Sequence, residues 1–498
     1  MYSIDWKDQF VVARGLLRLL ALAAVSIPIT SNAVYVSPDG LGQALIFPYY
    51  TTRPTDGNAF NTYISIVNHT QDAKVMRVRF REGRNGREVA NFNLFLGSGD
   101  AWTAALAAPP ANNLPTRLLS ADRSCMLPAL STQTGSLPFL DFSSASYDGA
   151  NTDGYGTGGD RTREGYVEVI EMATLQGATA DAVRIGANGQ PANCGTLDGA
   201  LGLGAPTGGL SGSLTLINVQ SGLDFTANAE ALAQLTTIPF YRAAADPYPD
   251  FTSSEVLPSS LFIAGDNKAY RIAWGSGADA VTGALLRETI SNEVILDTAT
   301  LSSTDWVVTF PTKRLYGTTP GSSGPFAPSL DTDRHSIPFQ MKFQPRDGQQ
   351  TSYVVSCGFL CPPQNVEIPM SLPWAASVVG FRLSGTTSSS GAAGTSGALG
   401  STNAWILSLP QTAQAGGAAT LSFDGVHTTP TTASASARTF DAATGDTTST
   451  NVRVRGMPAV GFAVRTFRNG TLTCAGSTSC QGNYGGMFVH QGVRTVTP

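Results

Sequence analysis

Apolar and polar residues alternate along most of this chain in short runs bounded by turn residues, the period of half-buried β-strands. From Gly42 the runs are QALIFPYY, NTYISIVN, KVMRVRFRE, REVANFNLFL and DAWTAAL. In the third, Met76, Val78 and Phe80 alternate with Arg77, Arg79 and Arg81. Beyond Gly83-Arg84-Asn85-Gly86, the fourth places Ala90, Phe92, Leu94 and Leu96 on one face. The Asn-Gly pair supplies the hairpin turn. A sheet with one apolar and one polar face buries the first against a second layer, which predicts a β-sandwich with the arginines on its solvated face.

The same texture returns later, in GYVEVIEM, SLTLINV, KAYRIAW, SNEVILD, DWVVTF, PFQMKFQ, TSYVVSC, AWILSLP, ATLSFDG, NVRVRG, AVGFAVRTF and GMFVHQG. Two segments read as helices instead: TANAEALAQL, capped by Thr226 with Ala229, Leu232 and Leu235 on one face, and a three-turn stretch through Ala278 to Glu288. Residues 106 to 162 and 174 to 212 are rich in turn formers and predict long irregular connections. The small-residue stretch 385–402 reads as an exposed flexible loop. With a boundary placed in IPFYRAAADPYPD, the expectation is an all-β protein of two immunoglobulin-like β-sandwich domains, 34–240 and 241–498.

Composition adds location to this picture. Residues 1 to 33 place Arg14 and Arg18 around an apolar run and end in Ser31-Asn32-Ala33, the form of a signal peptide cut after Ala33. Removing them, with Lys7, Arg14 and Arg18 against Asp5 and Asp8, takes the net charge from −5 to −6. Only 13% of residues are charged, about half the usual share, and nothing in that balance points to nucleic acid. No later run is long enough for a transmembrane helix. An exported chain carries its cysteines as disulfides by default. Spacing favours Cys357 with Cys361 and Cys474 with Cys480, which leaves Cys125 for Cys194; a four-cysteine zinc site from the two close pairs is the rival arrangement.

Chemistry-bearing patterns are sparse. Four histidines, His69, His335, His427 and His490, stand at no metal-ligand spacing, and metalloprotease, nucleophile-elbow and phosphate-loop motifs are missing from the sequence. His335 beside Asp331, Asp333 and Arg334 is the candidate for a nucleophilic triad, with a salt-bridged loop histidine as the plainer reading. Glu164, Glu168 and Glu171 are the closest carboxylate cluster of the first half, but Glu168 and Glu171 point to opposite sides of one strand, as exposed or ion-paired residues would. Asn151, Asp153 and Asp160, with Asp148 nearby, match part of a calcium loop, with a plain Gly/Asn/Asp turn as the more ordinary reading. Arg77, Arg79 and Arg81, with Arg84 and Arg87 at the turn, could hold an anionic glycan or lipid headgroup. Tyr49, Tyr50, Trp102 and Trp306 are candidates for stacking on sugars or for the core.

The segments GQALIFPYYTT, NTYISIVNHT, VRVRFREGRNGREVANFNLFLGSGDAWTA, REGYVEVIEMA, SNEVILD, TDWVVTFPTKRLYG and GMPAVGFAVRTF resemble a family of secreted, β-rich cell-surface proteins of Gram-negative bacteria. The resemblance implies export and a surface or extracellular setting, and it assigns no catalytic or ligand residue. The functional expectation is a non-enzymatic structural or adhesin-like surface protein that assembles with copies of itself or other surface components through sheet edges. An exported hydrolase of polysaccharide or ester bonds is the alternative, and a calcium-dependent glycan-binding module the second.

Overall fold

The computed structural model describes residues 32–497 except 56, 110–113, 198, 200, 317–324, 327–335, 347–369, 385–391, 411–415, 424–425, 429–436, 441–446, 450–451 and 474–478. The first 31 residues, His335, Cys357, Cys361 and Cys474 therefore lie outside the described residues, as do the side chains of His427 and Cys480. The chain is all-β, with several sheets and, among the described residues, two short α-helices, α1 (Ala178–Val183) and α2 (Gly277–Leu285).

The hairpin forms as its alternation predicts. Strands β3 (Lys74–Glu82) and β4 (Glu88–Leu96) pair antiparallel with Met76 opposite Leu94 and Phe80 opposite Ala90. Gly86 turns the chain at φ +67°, where a Cβ would stand 2.7 Å from the Tyr166 hydroxyl, so glycine is required twice over. This hairpin belongs to a first sheet ordered β9-β1-β6-β3-β4 with short strands at its ends, where β1 is Ala44–Thr51, β6 Glu164–Leu175 and β9 Glu230–Ala233. β6 is central and buried along its whole length. Leu45, Phe47, Val78, Phe80, Val167 and Val169 face one apolar cluster, while Ala44, Ile46, Ile170 and Met172 face another.

A second sheet packs on the first of these clusters. Its strands β5 (Ala101–Ala107), β2 (Asn61–Asn68), β7 (Leu210–Asn218) and β8 (Leu223–Asn228) lie in that order. They bury Ile64, Ile66, Trp102, Leu214, Leu216 and Phe225. Outward positions mix polar residues, among them the cross-strand hydroxyl pair Thr215 and Thr226 at 3.0 Å, with Tyr63 and Ile217. The third sheet runs β14-β13-β11-β16-β17, comprising β14 (Ala404–Pro410), β13 (Ala376–Ser384), β11 (Ser303–Thr309), β16 (Val460–Thr473) and β17 (Ser479–Val489). It is a middle layer. Val307, Val378, Phe462 and Val464 join the cluster of the first two sheets, whereas Trp306, Val308, Val379 and Ala463 face a fourth sheet. That sheet is built on β12 (Ile337–Pro345), β15 (Gly416–Phe423), β10 (Thr289–Ile295) and β18 (Gln491–Val493).

Several expectations are corrected. TANAEALAQL is not a helix: residues 223–228 alternate buried and exposed as β8, and Glu230–Ala233 pairs with β1 as β9, with Leu232 opposite Ala44. Pairing with a waiting sheet edge outweighs helix propensity there. The second helix stands as α2, capped by the Ser276 hydroxyl accepting from the Asp279 N–H at 3.2 Å. Within 385–402, residues 396, 398, 399 and 401 are buried instead of exposed, because small side chains let the backbone approach the third sheet closely. The arginine face of β3 is not solvated either: Arg77, Arg79 and Arg81 are at most 1% exposed. Residues on both sides of position 240 share each of the first two clusters, Phe240 within 238–250 is buried, and Phe251 and Val256 just beyond that stretch are buried too.

Candidate functional site

Burying three arginines on one strand requires a protein partner for nearly every guanidinium N–H. The segment 242–249 supplies most of them. Arg77 donates to the carbonyl oxygens of Arg242, Ala243 and Asp246 at 2.7–3.2 Å and, through Nε, to Asn93 Oδ1 at 2.8 Å. Arg79 donates to the carbonyls of Pro247 and Pro249 and pairs with Glu88 at 2.5 Å. Arg81 pairs with Glu168 at 2.7 Å. Burial, then the adjoining Arg79, pushes Arg77 down to about 10. The arginine face is thus a clasp on the main chain of a strap, which two prolines and three alanines make slim enough to lie flat on the sheet.

A second cluster closes the end of the hairpin. Arg161 forks between Glu82 (2.7 and 3.0 Å) and Asp153 (2.6 Å to each oxygen), with its guanidinium 4.3 Å from the Tyr147 ring centre. Glu82 also accepts the backbone N–H groups of Arg84, Asn85 and Arg87, fixing the turn. Beside it, Glu164 accepts from Arg53, Tyr49, Ser401 and Thr402 at 2.5–3.1 Å. Burial raises the Glu164 carboxyl, but Arg53 and these hydroxyls outweigh it and hold the group below its ordinary value. Asp153 is likewise held low, with Arg161 overcoming burial.

The chain matches no family model, no curated protein and no solved structure. The resemblance to secreted surface proteins therefore stands on the sequence segments alone.

The residues singled out from sequence are scattered among these partners. Asp153 is occupied by Arg161; Asp160 pairs with Arg53 at 2.7 Å; the Asn151 amide donates to the Ala145 carbonyl; Asp148 accepts from the Gly158 N–H. Among the described residues no three His, Cys, Asp or Glu side chains gather closely enough to hold a metal. Glu168 and Glu171 take opposite faces as expected, and both are buried: Glu171 meets Lys74 at 2.6 Å and accepts the Thr207 and Gly208 N–H groups. Tyr49, Tyr50, Trp102 and Trp306 are core residues with no exposed surface. Cys125 and Cys194 form the expected disulfide.

Three features had no clear sequence signal. His69 Nε2 lies 2.8 Å from Ser211 Oγ at an exposed site, and among the described residues no carboxylate bonds to that imidazole. A cavity of about 520 Å³ opens between Asp297–Ser303, β13 and Gly394–Gly397, lined by Leu301, Phe381, Arg382 and Ile406. Asp305, fully buried on β11, accepts the Ala398 and Leu399 N–H groups and so folds the small-residue stretch inward. Among the described residues no helix is long and apolar enough to cross a membrane.

Proposed function

We propose that this chain is an exported cell-surface or extracellular protein with a structural or adhesin-like role. The observation that carries the reading is where the charge goes. Arg81 with Glu168, Lys74 with Glu171, Arg161 with Glu82 and Asp153, and Arg53 with Glu164 pair inside the fold, and Arg77 and Arg79 are spent on the strap. The first two pairs tie neighbouring strands of the first sheet and the others close the end of that sheet, as a load-carrying body needs. The disulfide closes a 69-residue loop and suits an oxidising compartment. The deciding experiment is fractionation of the producing cells with immunogold microscopy of the intact envelope. Label on the outer surface or in released material supports the role; label confined to the cytoplasm overturns it.

A hydrolase reading rests on the His69–Ser211 contact. Ester turnover lost in Ser211→Ala would establish it, and equal activity of the two proteins would remove it.

A further inference from the structure

We propose that the open edge of β17 pairs antiparallel with the same strand of a second copy of this chain, in the register that places Gly485 on the two-fold axis. The inference rests on the surface-assembly reading above and deepens it by naming the edge, the partner and the register.

β17 ends the third sheet, bonded to β16 from Phe462 opposite Val489 to Thr473 opposite Ser479. Its inner face is taken: a Cβ on Gly485 would stand 2.5 Å from the Phe225 ring of β8. From the same face the Asn483 amide donates to the Ser221 carbonyl at 2.8 Å. The Asn292 amide donates to the Phe488 and Val489 carbonyls and so closes the last two residues. Between Gly482 and Met487, no backbone hydrogen bond among the described residues runs to any strand but β16. An edge strand of this length normally carries a lysine, another charge or a proline that blocks addition of a further strand. SCQGNYGGMFV carries none. The edge strand of the second sheet, β8, has exposed Asp224 by contrast.

The outer face of β17 explains why the partner is a second copy. Gly482, Tyr484, Gly486 and Phe488 follow one another on it. Tyr484 is 50% exposed and stacks on Phe467 at 5.2 Å; Phe488 is 43% exposed, lies 3.9 Å from the Arg465 guanidinium and leans over Gly486. Antiparallel pairing about Gly485 sets each Tyr484 opposite the other copy's Gly486, and each Phe488 opposite its Gly482. Each aromatic residue then stands opposite a glycine across the seam, with the Tyr484 ring still stacked on Phe467 and the Phe488 ring still over its own Gly486. Gly485 meets itself on the axis, where no side chain obstructs the approach. The contact is isologous and closes as a dimer with one continuous sheet.

Sedimentation velocity of the protein purified from its producing cells, over roughly 1 to 100 µM, tests the proposal. The expected result is a monomer-to-dimer shift, weakened at least about tenfold in Tyr484→Lys/Phe488→Lys and unchanged in Asp224→Lys. Should the double variant misfold by far-UV circular dichroism, hydrogen exchange of the unmodified protein replaces it, with slower exchange of the 482–487 amides at high concentration expected. A protein monomeric throughout, a double variant that dimerises like the unmodified chain, or exchange in β17 independent of concentration overturns edge pairing. A surface-located monomer removes this inference and leaves the proposed function; a cytoplasmic chain removes the proposed function whatever its sedimentation.

Discussion

The carboxylate of Glu164 and the hydroxyl of Ser401 lie 2.5 Å apart, across 237 residues of chain. This contact ties the central strand of the first sheet to the turn before β14, and Arg53, Tyr49 and Thr402 complete the site. Glu164→Gln leaves buried Arg53 with half-exposed Asp160 as its remaining carboxylate partner, for an expected loss of about 1–3 kcal/mol. Urea unfolding reads it as a lower midpoint at unchanged slope. A midpoint within error of the unmodified protein would contradict the brace. Because Glu164 and Asp153 are held below their ordinary values, the stability they contribute is present above the usual carboxylate range and lost as pH falls through the lowered values.

The clasp on 242–249 predicts a local effect. Arg79→Met strands two buried carbonyls and frees Glu88, at a cost of about 2–4 kcal/mol. Limited proteolysis should then cut within 241–254 before any other site. Cleavage that begins elsewhere at the unmodified rate would show that Arg77 and the buried Phe240, Phe251 and Val256 hold the strap without Arg79.

Closing the 69-residue loop between Cys125 and Cys194 restricts the unfolded chain by about 4 kcal/mol in the loop-entropy model. The Cys125→Ser/Cys194→Ser double variant is expected to lose about that much. A melting temperature unchanged by the double substitution would mean that the long connections are fixed by packing and not by the bridge.

His490 predicts a pH effect of defined sign. Its Nε2 lies 3.0 Å from the Val307 carbonyl and its Nδ1 3.3 Å from the Asn292 amide, a neutral ring with both nitrogens used. Burial pushes it down to about 4. The unfolded chain takes up a proton near 6.5 and the folded one does not, so stability falls from about pH 6.5 to about pH 4. Melting curves of His490→Gln should be flatter across that window, and an unchanged slope would exclude His490 as the source.

Lys313 is buried with its Nζ donating to the Pro373 carbonyl, and burial pushes it down to about 7. Below that value an ammonium sits in the core; between about 7 and 10.4 the unfolded chain is the better proton binder, so stability rises with pH. Lys313→Met should therefore stabilise, by roughly 1–4 kcal/mol, and more at pH 6 than at pH 9. Destabilisation at pH 6 would show that the charge is needed where it lies.

Strand positions along the first half were readable because alternation is a local property: Met76, Val78 and Phe80 announce their face without help from elsewhere. The fate of the opposite face was not local. Whether Arg77, Arg79 and Arg81 meet water or a strap depends on residues some 165 positions on, and a strand covered on both faces reads like a half-solvated one when its second face is charged. One signal existed: five arginines within residues 77–87 of a chain only 13% charged are too many for an ordinary outer face. The 226–235 segment failed for a related reason, since its apolar spacing satisfies a helix while the first sheet offers it an edge. The inward fold of 396–403 was hidden because glycine, serine and alanine carry no periodic pattern, and the cue lies in Asp305, nearly a hundred residues away.

The strap also sets an order of events for a chain that emerges from its amino end. Once β3 has been delivered, the Nη groups of Arg77 and Arg79 wait for the carbonyls of Arg242 to Pro249, and Glu164 waits for Ser401. Contacts so distant in sequence close slowly. The first half therefore completes its packing only after the second has been made, a delay that would suit the export proposed for this chain.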